Sequence, residues 1–189
     1  MWIYLVMVLL VAADQAIKYW ARNVLFLKMG GQSPFLGRFL DLYYAENTGA
    51  AFSIFRNGTV FFIIVTAVFL IALAYVLVRV RKRKIALLNT ALVMIIAGGI
   101  GNLIDRVVQG YVIDMFHFGF FEFPIFNFAD TLITIGAVLL FVFVLFFYEK
   151  HFPGKKKKEE ETEIADAEFV PADEETEEKE AQDGVKSDE

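Results

Sequence analysis

The sequence contains no cysteine and only two histidines, His117 and His151. Without cysteine, the chain cannot form a disulfide, a thiolate metal site or a cysteine nucleophile. Two histidines are too few for a histidine-rich metal site. We therefore expect no metal and no other cofactor.

Hydrophobic residues make up 57% of the 189 residues, and 21 residues are phenylalanine. A soluble domain of this length could not bury so much apolar surface, whereas a lipid bilayer is itself an apolar solvent. Four runs are suited to cross a bilayer as helices, at residues 2–24, 60–78, 85–104 and 131–148. The sequence therefore predicts an all-α membrane protein with four transmembrane helices.

The first run resembles the apolar region of a secretory signal peptide over Met1–Ala13, but it has no basic start. It continues as helix-compatible sequence through Asp14 and Lys18. These two residues stand four apart and share a helix face, where they can pair. We interpret the run as a span.

Basic residues are concentrated at two places outside the spans. Residues 79–84 read RVRKRK, and Lys150 and Lys155–Lys158 follow the fourth span. The positive-inside rule places both regions in the cytoplasm, where they also suit anionic membrane lipids. Four spans then put both termini in the cytoplasm, and the loops 25–59 and 105–130 outside it.

The end of the chain differs sharply in charge from the rest. Residues 159–189 carry 15 acidic residues and two lysines, a net charge of −13, whereas residues 1–158 carry a net +8. Dense like charge with few aromatics predicts a disordered, solvated tail, and binding to a basic partner is the alternative. We divide the chain into a four-helix membrane domain at 1–150 and a basic, then acidic, disordered cytoplasmic tail at 151–189.

The two outward loops have different compositions. Phe39–Ala45 is aromatic and aliphatic with turn residues on both sides, which predicts a small extracytoplasmic β-rich element between helices 1 and 2. The other loop contains FHFGFFEFPIFNF. Its phenylalanines are typical of an interfacial aromatic belt, and a rim for a substrate is the alternative.

Four of the eight acidic residues in 1–158 fall at or near outward ends of spans. An ionisable group at membrane depth is costly and is a functional hypothesis by default. Asp14 is expected to pair with Lys18, which makes a structural and a functional role equally plausible. Asp105 is followed by Arg106, an expected partner, which favours a structural role for Asp105.

The other two aspartates are the strongest catalytic candidates. Asp130 could cap the fourth helix, but Asp114 lies in the apolar segment GYVIDMF with no adjacent base. Both belong to one loop that leaves span three and returns as span four, so they can face each other at the same depth. Two carboxylates about 3 Å apart share one proton. One can then activate water while the other protonates a scissile carbonyl.

Other polar residues are expected at the same level. Asn47, Asn102 and Asn127 could orient a carboxylate or hold a peptide backbone, although turn and helix-end roles are equally open. The glycines of GGIG lie inside an apolar span, so close helix packing is favoured over phosphate binding.

The ordered segments together resemble the lipoprotein signal peptidase family, also called signal peptidase II. The matching stretches are DQAIK at 14–18, NTGAAFS at 47–53, GGIGNLIDR at 98–106, VID at 112–114 and FNFAD at 126–130. The resemblance covers roughly residues 1–150. The family is one of bacterial membrane aspartic peptidases with four spans and an extracytoplasmic active site.

The resemblance implies the roles of individual residues. The family's catalytic pair matches Asp114 and Asp130. Its supporting and substrate-binding positions match Asp14, Lys18, Asn47, Gly49, Asn102, Asp105, Arg106 and Asn127. It implies removal of signal peptides from diacylglyceryl-modified prolipoproteins before the lipidated cysteine, inhibition by globomycin, a place in the bacterial cytoplasmic (inner) membrane, and no nucleic-acid partner. The acidic tail and the phenylalanine-rich loop depart from the family pattern.

Two other functions use the same residues differently. A proton-coupled transporter could use the aspartates as a relay, but the chain has no internal repeat and no acids through the middle of the membrane. A non-catalytic scaffold could act through its tail. A presenilin-like protease is disfavoured because its GxGD signature is absent.

Overall fold

The computed structural model describes residues 2–37, 39–49 and 58–153. Its contacts divide the chain into two units, Met1–Val144 and Leu145–Glu189. The predicted tail and residues 50–53 of the NTGAAFS stretch lie outside the described residues, apart from the tail's first three positions. The helices are α1 (Trp2–Trp20), α2 (Leu27–Met29), α3 (Thr59–Val80), α4 (Ala86–Gln109), α5 (Phe128–Phe146) and α6 (Tyr148–His151).

Four helical segments of the described chain are long and apolar enough to cross a membrane, which confirms the prediction. The first is longer than expected, because a π-helical turn at Ala21–Phe26 joins α1 to α2 and carries the helix to Met29. The third extends beyond the predicted end at residue 104. It ends at Gln109, where Gly110 takes a left-handed φ of 82° that an L side chain rarely adopts.

A three-stranded antiparallel sheet connects the spans at one end, with strands β1 (Gln32–Pro34), β2 (Leu40–Asn47) and β3 (Val112–Phe118) in that order. The predicted β-rich element between the first two spans is confirmed. The third strand was not predicted, and it comes from the other loop, between α4 and α5. The sheet therefore ties together both segments that carry candidate site residues.

The pairing of β2 with β3 contains an irregularity beside the candidate site. Leu42 pairs with Phe116, whereas Ala45 pairs with Asp114, so β2 holds one extra residue between these pairs. On its other side β3 forms an isolated bridge from Phe116 to Phe126. Phe126 immediately precedes Asn127 and the start of α5, so this bridge brings the start of α5 beside Asp114.

Helix α4 forms the interior of the bundle. In the apolar stretch of α4, 67% of the residues are buried inside the protein. In the corresponding stretches of the spans that contain α1 and α3, only 11% are buried. Its glycines allow close contact, since a Cβ at Gly99 would lie 2.7 Å from Leu70 of α3. This agrees with the predicted packing role of the GGIG glycines.

Candidate active site

Asp114 projects from β3 into a buried polar environment, with only 3% of its surface exposed. Asn47, the last residue of β2, donates from Nδ2 to Asp114 Oδ2 at 3.0 Å. Asn127 donates from Nδ2 to Asp114 Oδ1 at 2.6 Å. The sheet thus supplies one amide donor and the segment before α5 supplies the other.

Asp130 lies in the first turn of α5 and is held by a reciprocal capping arrangement. The backbone N–H of Asp130 donates to Asn127 Oδ1 at 3.0 Å, and the backbone N–H of Asn127 donates to Asp130 Oδ2 at 3.1 Å. The interpretation of Asp130 as the N-cap is therefore wrong. Asn127 takes the N-cap position, and Asp130 is the acidic residue three positions later, as in a capping box.

The two aspartates belong to one hydrogen-bond network. Asn127 contacts both carboxylates, through its side-chain amide to Asp114 and its backbone N–H to Asp130. Asn102 of α4 donates from Nδ2 to the remaining Asp130 oxygen at 2.8 Å and accepts from Asn127 Nδ2 at 3.2 Å. The three asparagines singled out in the sequence therefore all contact this aspartate pair.

The environment of Asp114 changes its protonation. Burial, and after it the neighbouring Asp130 carboxylate, raise the pKa of the Asp114 carboxyl to about 7 despite the opposing hydrogen bonds from Asn127 and Asn47. A buried carboxyl beside a second acid favours the neutral form. The pair can therefore retain one proton close to neutral pH.

A second cluster of charged residues, with Asp14 and Asp105 around Lys18, lies near the aspartate pair. Lys18 Nζ is 2.9 Å from Asp14 Oδ2 and 2.9 Å from Asp105 Oδ2, and all three side chains are buried. The predicted Asp14–Lys18 pair is confirmed. The predicted Asp105–Arg106 pair is wrong, because consecutive residues project from different faces of α4 and only Asp105 faces α1.

Arg106 instead lies near the start of α3. Its Nη2 donates to the carbonyl of Gly49 at 3.2 Å, and its guanidinium lies 5.4 Å from the centre of the Phe62 ring. The backbone N–H of Gly49 donates to Asn47 Oδ1 at 3.0 Å. Gly49 and Arg106 thus form a polar wall beside Asn47, which in turn contacts Asp114.

A cavity of about 1170 Å³ opens at the aspartate pair. Among the candidate residues, its wall includes Asn47, Gly49, Asn102, Arg106, Asp114 and Asp130. The lining also has an aromatic part, formed by Phe118, Phe123 and Phe126 from β3 and the loop after it. The cavity can therefore hold a ligand with a polar part at the carboxylates and an apolar part along the phenylalanines.

Sequence reasoning missed several residues near this site. Gln15 donates to Asp105 Oδ1 at 3.1 Å and to the Gly101 carbonyl at 3.2 Å, so it connects α1 to α4. An amide next to Asp14 within a span was a signal that could have identified it. Glu46 and His117 line the cavity, and no spacing in the sequence distinguishes them. Among the described residues, no group of three or more His, Cys, Asp or Glu is arranged to hold a metal ion.

Known proteins are similar to this chain in sequence and in fold. The family model for signal peptidase (SPase) II matches residues 6–146. A lipoprotein signal peptidase of Lactiplantibacillus plantarum is 41% identical over 77% of this chain and 95% of its own length. One of Enterococcus faecalis is 37% identical over 75% of this chain and 86% of its own length.

Two solved structures described as bacterial membrane enzymes have the same fold. The first superposes with a TM-score of 0.67 at 30% identity and covers 81% of this chain and 92% of its own. The second has a TM-score of 0.66 at 33% identity and covers 77% of this chain and 93% of its own. The chain therefore belongs to the signal peptidase II family of membrane proteases.

Proposed function

We propose that the chain is an aspartic endopeptidase that removes signal peptides from diacylglyceryl-modified prolipoproteins, cutting before the lipidated cysteine. The observation that carries this proposal is the sharing of Asn127 by Asp114 and Asp130 at the wall of a single cavity. Two acids held in this way can divide the roles of acid and base without a covalent intermediate.

Asp114 holds the shared proton in this mechanism. Its burial and its pKa of about 7 favour the neutral acid. Asp130 lies in the first turn of α5, where its two oxygens accept hydrogen bonds from the N–H of Asn127 and the amide of Asn102. Asp130 takes a proton from water while the water oxygen attacks the scissile carbonyl carbon and Asp114 protonates the carbonyl oxygen. The tetrahedral intermediate then loses the C–N bond, as Asp130 gives its proton to the leaving amine and Asp114 regains its own.

The remaining candidate residues position the reacting groups. Asn47, Asn102 and Asn127 orient the two carboxylates by the hydrogen bonds described above. Arg106 and Gly49 offer a polar wall to the substrate backbone. The aromatic wall suits the apolar substrate, which includes the lipid chains, and the cyclic peptide globomycin would occupy the same cavity.

The substrate also explains why the acids would lie at the membrane surface. A signal peptide is an apolar segment resident in the bilayer, and its diacylglyceryl group holds the cleavage point near the headgroups. A site at the extracytoplasmic ends of the spans meets this point where water is available. Fixing the scissile bond in this way lowers the entropic part of the barrier. Both chain termini are then cytoplasmic, as the basic segments suggest.

The decisive experiment compares Asp114→Asn and Asp130→Asn with wild type on a lipid-modified prolipoprotein and on its unmodified form. We expect wild type to cleave only the modified form, globomycin to block cleavage, and either variant to lose activity by at least about a thousandfold. Asp41→Asn is the matched control, because it removes a strand carboxylate that is not in the cavity wall. Processing at the normal rate by either dyad variant would refute the aspartic mechanism.

A further inference from the structure

The buried charges of Asp14, Lys18 and Asp105 are not part of the cavity wall. Their side chains are 0%, 2% and 1% exposed. A substrate in the cavity therefore meets the aspartate pair, Asn102 and Arg106 but not these three groups. Any contribution of these three residues to catalysis therefore has to act through other residues.

Each carboxylate of this cluster accepts a backbone N–H directly upstream of one dyad aspartate. Asp105 Oδ2 accepts from the N–H of Ile113 at 3.2 Å, and Ile113 precedes Asp114. Asp14 Oδ1 accepts from the N–H of Ala129 at 3.0 Å, and Ala129 precedes Asp130. The two backbones from which the dyad side chains project are thus held by carboxylates that share one ammonium group.

Lys18 also sets the orientation of the Asn102 amide. Its ammonium donates to Asn102 Oδ1 at 2.9 Å, and an ammonium group has no acceptor. The oxygen of the amide must therefore face Lys18, which turns Nδ2 towards Asp130. With the opposite orientation, Asn102 would present an oxygen to the Asp130 carboxylate.

We propose that Asp14, Lys18 and Asp105 form a positioning clamp that sets the separation and orientation of the Asp114 and Asp130 carboxylates. The clamp rests on the proposed function, because it acts only through those two acids. A buried ion cluster adds little net stability compared with apolar side chains of similar size. A displacement of reacting groups by about 1 Å, in contrast, can cost about a hundredfold in rate.

The test releases one arm of the clamp at a time. Asp105→Ala frees Ile113 and Asp14→Ala frees Ala129, and each leaves Lys18 paired with the other carboxylate. Asp105→Asn and Asp14→Asn keep a side-chain oxygen that can accept the backbone N–H. Arg22→Ala is the control, because Arg22 also links the first span to α4, through an exposed hydrogen bond to Gln109 of 2.9 Å. Measurements are kcat and KM on lipid-modified prolipoprotein and the unfolding temperature in detergent.

We expect each alanine variant to lower kcat about a hundredfold with KM within about twofold. The asparagine variants should recover about tenfold of that loss, and Arg22→Ala should match wild type. A folded Asp105→Ala or Asp14→Ala protein with wild-type kcat would overturn the clamp. A loss confined to KM would also overturn it, because the substrate does not touch these residues.

A variant without any charge in the cluster covers the case in which the alanine variants do not fold. Asp14→Asn, Lys18→Met and Asp105→Asn combined remove both signs of charge, so no ion is left buried and unpaired. We expect this protein to unfold at or above the wild-type temperature. Its kcat should be at least about tenfold lower, because the Asn102 oxygen loses its ammonium partner and only Asn127 still donates to it. Wild-type kcat here, or failure of this variant to fold, would overturn the proposal. Activity of Asp114→Asn would instead refute the dyad itself.

Discussion

Helix α4 touches α3 and α1 at glycines that are two residues apart, and the two contacts differ in chemistry. At Gly99, the space of the missing Cβ is filled by Leu70 Cδ2 of α3, 2.7 Å from the ideal Cβ position. At Gly101, it is filled by the Asp14 carboxylate of α1. The first contact is ordinary close packing of membrane helices. The second brings a charged group against the α4 backbone, which is costly at membrane depth and favours the positioning role proposed for Asp14.

The two contacts are distinguished most clearly by adding one methyl group to each of the two glycines. Gly101→Ala places its Cβ onto Asp14 Oδ2, so the carboxylate that holds Ala129 must move. We expect activity on lipid-modified prolipoprotein to fall about a hundredfold. Gly99→Ala needs only a shift of the flexible end of Leu70, and activity should stay close to wild type.

Both alanine variants overpack the bundle, so both should lose about 1–3 kcal/mol of stability. The unfolding temperature in detergent measures this shared cost, and the activity of the folded protein measures the difference. Equal activities of the two variants would contradict the distinction between the polar and the apolar contact.

A second difference concerns the pH dependence of activity, which should change only when a residue beside the aspartate pair is replaced. In the proposed mechanism the aspartate pair needs one shared proton, so activity should fall as the pH rises past the Asp114 pKa of about 7. Asn47→Ala removes a donor to Asp114 Oδ2 that favours the carboxylate. The pKa of Asp114 then rises, and the alkaline limb of the kcat profile should move up by about one pH unit.

Leu70→Ala is the matched change at the apolar contact between α3 and α4. It removes a buried contact with Gly99 and should destabilise the protein by about 2–5 kcal/mol. The alkaline limb should nevertheless stay in place, since no charge near the dyad changes. A shift of the limb to lower pH in Asn47→Ala would mean that the amide stabilises the neutral acid instead.

The smallest effect is expected at the other end of α4. Asn89 is buried near the start of the helix, and its Oδ1 has no hydrogen-bond partner in the described part of the chain. Asn89→Leu replaces an unsatisfied buried amide with an apolar side chain, which should raise stability by about 1 kcal/mol and leave activity unchanged. A destabilised Asn89→Leu protein would show that polar contacts matter along the whole helix.

Prediction from sequence succeeded where the information was local. The apolar runs predicted all four spans to within a few residues, and the strand-like composition of Phe39–Ala45 identified β2. The i,i+4 spacing of Asp14 and Lys18 predicted their ion pair. The placement of the acidic residues singled out Asp114 and Asp130, and the resemblance to signal peptidase II matched the same pair. Their catalytic assignment stays a prediction.

The failures concern partners that local sequence cannot reveal. Asp105 pairs with Lys18, 87 positions earlier, although Arg106 is its neighbour in sequence. Strand β3 lies in a loop whose phenylalanines are equally typical of a membrane interface, and its pairing with β2 makes it a strand. Asn127 rather than Asp130 takes the N-cap position of α5. Its Oδ1 accepts the N–H of Asp130, while Asp130 Oδ2 accepts the N–H of Asn127.

The sequence by itself determined that this is a membrane protein with four spans, because the length and apolarity of a segment are sufficient to specify a bilayer-crossing helix. Only the tertiary structure decided which polar groups meet. Lys18 contacts Asn102, Asp14 caps the backbone at Ala129, and Asn127 reaches Asp114 across 84, 115 and 13 positions. Buried polar groups must find hydrogen-bond partners, and those partners are fixed by helix packing and strand register rather than by neighbours in the chain.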